Sequence, residues 1–236
     1  MASSAELDGR VAVVTGASGG IGAAVSRRLA AAGADVWMVA RGQDRLEAAA
    51  REAGGQAVVA DVADPAGAEA VRGAVGAGPV DILVNAAGSF ELAAVADTSP
   101  AMFDRMIAGN LTAPFLAIRA LLPGMLDAGR GHVVTIGSVA GRRAFPRNGA
   151  YSASKFGVRG LHAVLDEELR GTGVRATLVE PAATDTALWD PLDPDGRPDL
   201  PSRSAMLSPD RVAETVLYIV TRPPDVRIPV IAVERS

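Results

Sequence analysis

Apolar residues in this chain gather into two kinds of run, and the two kinds alternate almost to the end. Short runs bounded by turn residues, such as Arg10-Val-Ala-Val-Val-Thr15 and Val36-Trp-Met-Val-Ala-Arg41, have the length and composition of buried strands. They predict strands at 10–15, 34–40, 56–60, 80–85, 131–137, 174–180 and 228–233. Between them the apolar positions recur at helical spacing, as with Ile21, Val25 and Leu29, and predict helices near 20–32, 43–53, 65–77, 99–128, 150–171 and 208–221. Gly33, Gly54 and Gly129 stand where helix ends need a cap. Strands that alternate with helices imply a parallel sheet covered on both faces, so the expected fold class is α/β, a doubly wound sheet of about seven strands. Pro114 has no N–H to give the carbonyl of Asn110, which predicts an interruption inside the segment 99–128. The segment Trp189-Asp-Pro-Leu-Asp-Pro-Asp-Gly-Arg-Pro-Asp-Leu-Pro201 breaks the alternation. It is too polar for an element interior, and it follows the sixth strand, where such a sheet opens its ligand crevice; a substrate lid near 187–206 is expected.

Composition narrows the function classes. A length of 236 residues suits one domain, 1–236, with a sizeable core. A net charge of −4 and an isoelectric point near 5.3 argue against nucleic acid or an anionic membrane as general partners. No cysteine is present, which excludes disulfides and thiolate chemistry, and two histidines, His132 and His162, leave little material for a metal site. His132 should open a strand and His162 should lie on a helix. Mean hydropathy is positive because Ala and Val are abundant; no apolar stretch in the linear sequence approaches the length of a membrane span. The polar leader Met1-Ala-Ser-Ser-Ala-Glu6 has neither signal-peptide character nor a myristoylation glycine. A cytoplasmic protein is expected.

Chemistry concentrates in Gly149-Ala-Tyr-Ser-Ala-Ser-Lys-Phe-Gly157. Tyr151 and Lys155, four residues apart, share one helix face. A phenol titrates near 10 when unperturbed, and a neighbouring ammonium favours its ionised form, so the pair can move a proton to or from a carbonyl or alcohol oxygen. A second centre lies at Gly16-Ala-Ser-Gly-Gly-Ile-Gly22, a glycine turn between the first strand and the first helix. Backbone there can approach a pyrophosphate, and the helix N-terminus can hold it. At the end of the second strand, where a carboxylate would take the ribose hydroxyls of NAD, stands Arg41. Its guanidinium suits the 2′-phosphate of NADP.

Thr15-Gly16-x-x-x-Gly20-x-Gly22, Asn85-Ala-Ala-Gly88, Asn110, Ser138 and Tyr151-x-x-x-Lys155 occur in this order, with Ser138 thirteen residues before Tyr151. In this the chain resembles the short-chain dehydrogenase/reductase family from about residue 8 to residue 190. The resemblance implies a Rossmann-like NAD(P)-binding domain. It implies that Tyr151 is the proton donor, that Lys155 lowers the phenol's pKa and binds the nicotinamide ribose, that Ser138 holds the substrate oxygen, and that Asn110 belongs to a proton relay. By the same resemblance Gly16, Ser18, Gly20, Ile21 and Gly22 hold the pyrophosphate, Asp61 and Val62 border the adenine, and Asn85, Ala86 and Gly88 form the floor beside it. Pro181, Thr184 and Thr186 match positions that hold the carboxamide. Ala182 stands where the family usually has glycine, which is harmless if φ stays negative there. The implied activity is NADP(H)-dependent interconversion of a ketone or aldehyde with an alcohol, in a homotetramer or homodimer. A non-catalytic NADP-binding sensor and a dehydratase or epimerase on the same fold stand as alternatives. Phe90, Phe145, Leu188 and Trp189 are candidates for an apolar pocket, and Arg142, Arg143 and Arg147 for attracting an acidic substrate.

Overall fold

The computed structural model describes residues 6–76 and 78–236; residues 1–5 of the polar leader and residue 77, the expected end of the third helix, lie outside the described residues. Seven parallel strands form one sheet: β1 (Val11–Thr15), β2 (Asp35–Ala40), β3 (Gln56–Val59), β4 (Ile82–Asn85), β5 (Gly131–Ile136), β6 (Val174–Pro181) and β7 (Val230–Val233). Their spatial order is β3-β2-β1-β4-β5-β6-β7. The order reverses between β1 and β4, and a crevice therefore opens beyond their C-terminal ends, at Thr15 and Asn85. The helices are α1 (Gly20–Ala31), α2 (Gln43–Ala53), α3 (Pro65–Val75), α4 (Pro100–Ile107), α5 (Ala113–Ala128), α6 (Gly149–Glu168) and α7 (Pro209–Val220).

Successive strand residues face opposite sides, so each strand feeds two cores. Val14, Val36, Met38 and Val179 join Val25 and Leu29 of α1, Leu46 of α2 and Val212, Val216 and Ile219 of α7 on one face. Ile21 packs at the margin of that cluster. Val13, Val39, Leu83 and Val133 join Val71 of α3, Leu116, Ala117 and Met125 of α5 and Leu165 of α6 on the other. Gly54 and Gly129 cap α2 and α5 in the left-handed conformation, with φ of 72° and 63°. The cap of α1 is Ala32, one residue before Gly33.

The interruption expected at Asn110 is present as a wide π-helical turn, Ala108–Thr112, between α4 and α5. It widens the helix locally without ending it. The continuous helical segment Pro100–Asp127 is consequently 28 residues long, with a window of mean hydropathy 1.3, enough by length and composition to cross a membrane. This corrects the expectation that no stretch approaches that length. The apolar character has a packing cause: Met102, Met106, Leu116, Leu121 and Met125 are buried in the fold.

Candidate active site

The glycine turn, expected to hold a pyrophosphate, is built by close backbone approach. Gly16 has φ 69°, and a Cβ there would come within 2.7 Å of the Ala86 carbonyl oxygen and of Ala87; at Gly22 it would come within 2.4 Å of the Gly16 oxygen. The turn thus presses β1, the start of α1 and the loop after β4 together, and Thr15 Oγ1 accepts from the Ala87 N–H at 3.2 Å. The N-cap of α1 is Gly19; no side chain caps the helix, its first turn holds no acid, and the space where a Gly19 Cβ would point is open. Uncapped N–H groups with an open approach are what an anion requires. A cleft of about 540 Å³ adjoins this turn, bordered by Ser18, Gly19, Gly20, Arg27, Arg45 and Thr186. A larger hollow of about 800 Å³ lies over α7 and β7, bordered by Met206, Tyr218 and Ile231, and contains none of the candidate catalytic residues.

At the end of β2 the Arg41 side chain is 79% exposed and its guanidinium stands 3.8 Å from the Asp61 carboxylate. Asp61 also accepts from the Ala63 N–H at 3.0 Å, and Val62 is buried beside it. Asn85, at the end of β4, is buried with its Oδ1 unpartnered among the described residues.

Three elements converge at the catalytic end. Ser138 follows β5 and caps a short 3-10 turn, Val139–Gly141; its Oγ accepts from the Ala140 N–H at 3.1 Å, which leaves its own proton for another acceptor. Tyr151 and Lys155 lie in the first two turns of α6. Lys155, buried, donates from Nζ to the Ile136 carbonyl at 3.0 Å and lies 5.6 Å from the Tyr151 ring centroid. Asn110 sits in the π turn, 2% exposed. Its side chain clamps Ser89 in both directions: Oδ1 accepts from the Ser89 N–H and Nδ2 donates to the Ser89 oxygen, each at 3.0 Å. A Cβ at Gly88 would meet that Oδ1 at 2.7 Å, so Gly88 admits the clamp.

The electrostatics depart from the expectation at one point. Burial pushes the Tyr151 phenol up to about 12, with Ser138 pulling in the opposite direction. Burial also pushes Lys155 down to about 8. The ammonium was expected to lower the phenol's pKa, but it is directed to Ile136, and desolvation wins at both groups. Helical spacing gives a shared face; it carries no information on depth.

At the positions expected to hold the carboxamide, Ala182 keeps a negative φ and donates its N–H to the Val233 oxygen at 2.9 Å, so the missing glycine costs no backbone strain. Thr184 Oγ1 donates to the Ala182 oxygen at 3.0 Å, and the Thr186 side chain approaches Gly20. The polar stretch beyond forms three short 3-10 turns laced by charge. Arg203 holds Asp185 and Asp190, each at 2.5 Å, while Asp199 takes Arg147 at 2.9 Å and Arg197 at 2.7 Å. From this stretch the Trp189 ring lies 4.8 Å from Phe90, and Phe90 lies 4.8 Å from Tyr151 in an edge-on contact. Phe145 and Leu188, by contrast, are exposed. Arg142 is paired with Glu180 and Glu234, and Arg147 with Asp199, which takes two of the three arginines away from any acidic substrate. Two residues near the site escaped the sequence reading, Ser89 and Glu180. Glu180 had a signal, a carboxylate inside the apolar strand run Ala176-Thr-Leu-Val-Glu180.

Residues 10–196 match the family model described as short chain dehydrogenase. The chain is 38% identical over 226 residues to D-threitol dehydrogenase of Mycolicibacterium smegmatis, covering 91% of this chain and 87% of that protein. It is 40% identical over 239 residues to glycine betaine reductase of Emericella nidulans; that match takes in 97% of this chain but only 19% of the far longer relative. Among solved structures, a serine dehydrogenase complexed with NADP+ superposes with a TM-score of 0.89 at 30% identity, with 94% of each chain covered. A metagenomic short-chain oxidoreductase in complex with NADP gives 0.83 at 36% identity, covering 98% of this chain and 99% of the other. The chain belongs to the short-chain dehydrogenase/reductase family. It is thereby an oxidoreductase of a kind that uses nicotinamide cofactors.

Proposed function

We propose that the protein is an NADP(H)-dependent oxidoreductase that interconverts a small ketone or aldehyde with the corresponding alcohol. The observation that carries this reading is the convergence of Ser138, from the turn after β5, with Tyr151 and Lys155, from the start of α6, at the open, C-terminal end of the sheet. Bound nicotinamide would supply or accept the hydride. Tyr151 delivers the proton to the substrate oxygen in reduction and removes it in oxidation. Burial pushes the phenol upward, so the chain without cofactor presents Tyr151 protonated, the form that reduction needs. Ser138 donates its hydroxyl proton to the same oxygen and stabilises charge as it develops. Lys155 would take the nicotinamide ribose, the uncapped N-terminus of α1 the pyrophosphate, and Pro181, Thr184 and Thr186 the carboxamide.

Preference for NADP is supported by Arg41, exposed at the end of β2 with only a 3.8 Å approach to Asp61, and by the NADP complexes among the structural relatives. Trp189 and Phe90 place an aromatic wall beside Tyr151, so the segment 187–206 serves as the substrate lid within a single domain. The same proposal includes a cytoplasmic location and assembly into a homotetramer. Phe103, Phe115, Phe156 and Val164, on α4, α5 and α6, are left at the surface of one chain and would be covered in such an assembly.

Purified protein mixed with NADPH and a panel of ketones, aldehydes and polyols tests the activity. Turnover with oxidation of NADPH is expected; tight cofactor binding without turnover of any compound would favour a sensor. Light scattering at micromolar concentration tests the assembly, and a mass near the 24.0 kDa of one chain would overturn it.

A further inference from the structure

Glu180 is 1% exposed in β6, one of the largest fully buried side chains, and nothing in the mechanism above uses it. A carboxylate withdrawn from water needs partners. Glu180 has two, one on each oxygen: Arg142 Nε lies 3.3 Å from Oε2, and Arg159 Nη1 donates to Oε1. Arg142 follows Ser138 by four residues and ends the 3-10 turn that Ser138 begins. Arg159 follows Lys155 by four residues and so shares its face of α6. The two elements are already in contact, since a Cβ at Gly141 would lie 2.8 Å from the Lys155 carbonyl oxygen. Lys155 Nζ also reaches the Ile136 carbonyl, two residues before Ser138, which gives the two elements one fixed point. A single carboxylate gripping both, one oxygen to each, adds a second.

We propose that Glu180 is a positioning residue that sets the separation between Ser138 and the Tyr151–Lys155 pair; the catalytic part of this inference rests on the proposed oxidoreductase reading. Proton donation by Tyr151 and hydrogen bonding by Ser138 must meet at one substrate oxygen, and an error of about 1 Å in such a geometry costs on the order of a hundredfold in rate. Glu180→Gln keeps the volume of the side chain. Its single amide oxygen can serve one arginine, while its NH₂ group faces the other.

The expected result for Glu180→Gln is a fall in kcat of at least about tenfold, with KM for NADPH within about twofold of wild type, measured well below the melting temperature. Arg142→Ala and Arg159→Ala leave Glu180 with one partner each, and both should show the same split. They also decide the matter if Glu180→Gln does not fold. A second readout needs no turnover. The chain has two tyrosines, Tyr151 and Tyr218, so ¹³Cζ-tyrosine NMR in a Tyr218→Phe background reports Tyr151 alone. The Tyr151 resonance should shift or broaden in each variant. Unchanged kcat and an unchanged resonance in folded variants would overturn the inference. If wild type turned over no substrate, the oxidoreductase reading would fall, and the resonance would still decide whether Glu180 fixes the position of Tyr151.

Discussion

Asp81 and the Tyr151–Lys155 pair, at opposite ends of the sheet, handle burial in opposite ways. At the N-terminal end, Asp81 is 7% exposed and fully engaged: Oδ1 takes Arg10 at 2.8 Å and Arg130 at 3.0 Å, and Oδ2 accepts from the Val11 N–H at 3.0 Å. Its main chain is paired as well, with the Asp81 oxygen accepting from the His132 N–H at 2.8 Å. Burial alone would raise the Asp81 pKa, but the Val11 N–H and the two arginines outweigh it and hold the carboxyl below its ordinary value. One side chain thus ties the beginnings of β1, β4 and β5. At the C-terminal end burial prevails, pushing Tyr151 up and Lys155 down. The first arrangement stabilises the fold and leaves nothing reactive. The second leaves poised groups that catalysis can use, and their desolvation is a stability cost.

The contrast is sharpest in what mutation should do. Tyr151→Phe keeps the ring and its contact with Phe90 but removes the transferable proton. Ketone reduction should fall by at least about a hundredfold while NADPH still binds, as read by cofactor fluorescence; retained turnover would take Tyr151 out of the mechanism. Next in size, Arg41→Ala should lower kcat/KM for NADPH by roughly ten- to a hundredfold and leave NADH nearly unaffected, since a charge-assisted contact contributes about 1.5–3 kcal/mol. A wild type that prefers NADH in side-by-side assays would refute that reading of β2.

At the opposite end, Asp81→Ala should cost stability and spare chemistry. Loss of its hydrogen bonds to arginine and backbone should remove about 2 kcal/mol, or about 4–8 °C in Tm, with kcat unchanged at low temperature. Because the folded pKa of Asp81 is depressed, its contribution is present above the unfolded carboxyl value near 3.8 and disappears as pH falls below it. The acid limb of the wild-type stability curve should therefore be shallower in the variant. A last effect, confined to alkaline pH, concerns Lys155. Its folded pKa, about 8, lies below the unfolded value near 10.4, so between about pH 8 and 10 the unfolded chain binds more protons and wild-type stability should rise with pH. Lys155→Met should lack that rise in a denaturant titration series. A rise of equal slope in the variant would mean that Lys155 is not desolvated as described.

Much of this was legible in the linear order of residues. Alternating runs located all seven strands, and the missing N–H of Pro114 located the break at Asn110 to within the π turn. The glycine turn and the tyrosine–lysine pair were legible as local motifs, because each is close in chain; Ser138 came only with the family resemblance that the order of the motifs carries. What spacing could not carry was the third dimension of each contact. Asp81 meets Arg10 across 71 positions and Arg130 across 49; Glu180 meets Arg142 and Arg159 from a different strand. The sign of the Tyr151 shift depends on how much water is excluded around the phenol, which no pattern of residue types encodes. Trp189 and Phe90 were named as pocket candidates, but their edge-on and tilted contacts beside Tyr151 depend on how the charged segment after β6 folds back.

The π turn at Ala108–Thr112 has a consequence for how this chain can change. A wide turn holds one residue more than an ordinary helical turn, so α4 and α5 run in different angular phase, like two gears offset by a tooth. Each residue accounts for about 100° of rotation. Loss of one residue from 108–112 would bring the two halves into a common phase and swing the buried stripe of α5, including Leu116, Leu121 and Met125, away from the sheet. The same loss would carry Asn110 off Ser89 and release the loop beside Gly88. The Asn110 clamp alone constrains the kind of residue; beyond that, the number of residues here cannot change, because length at this place is itself the property being kept.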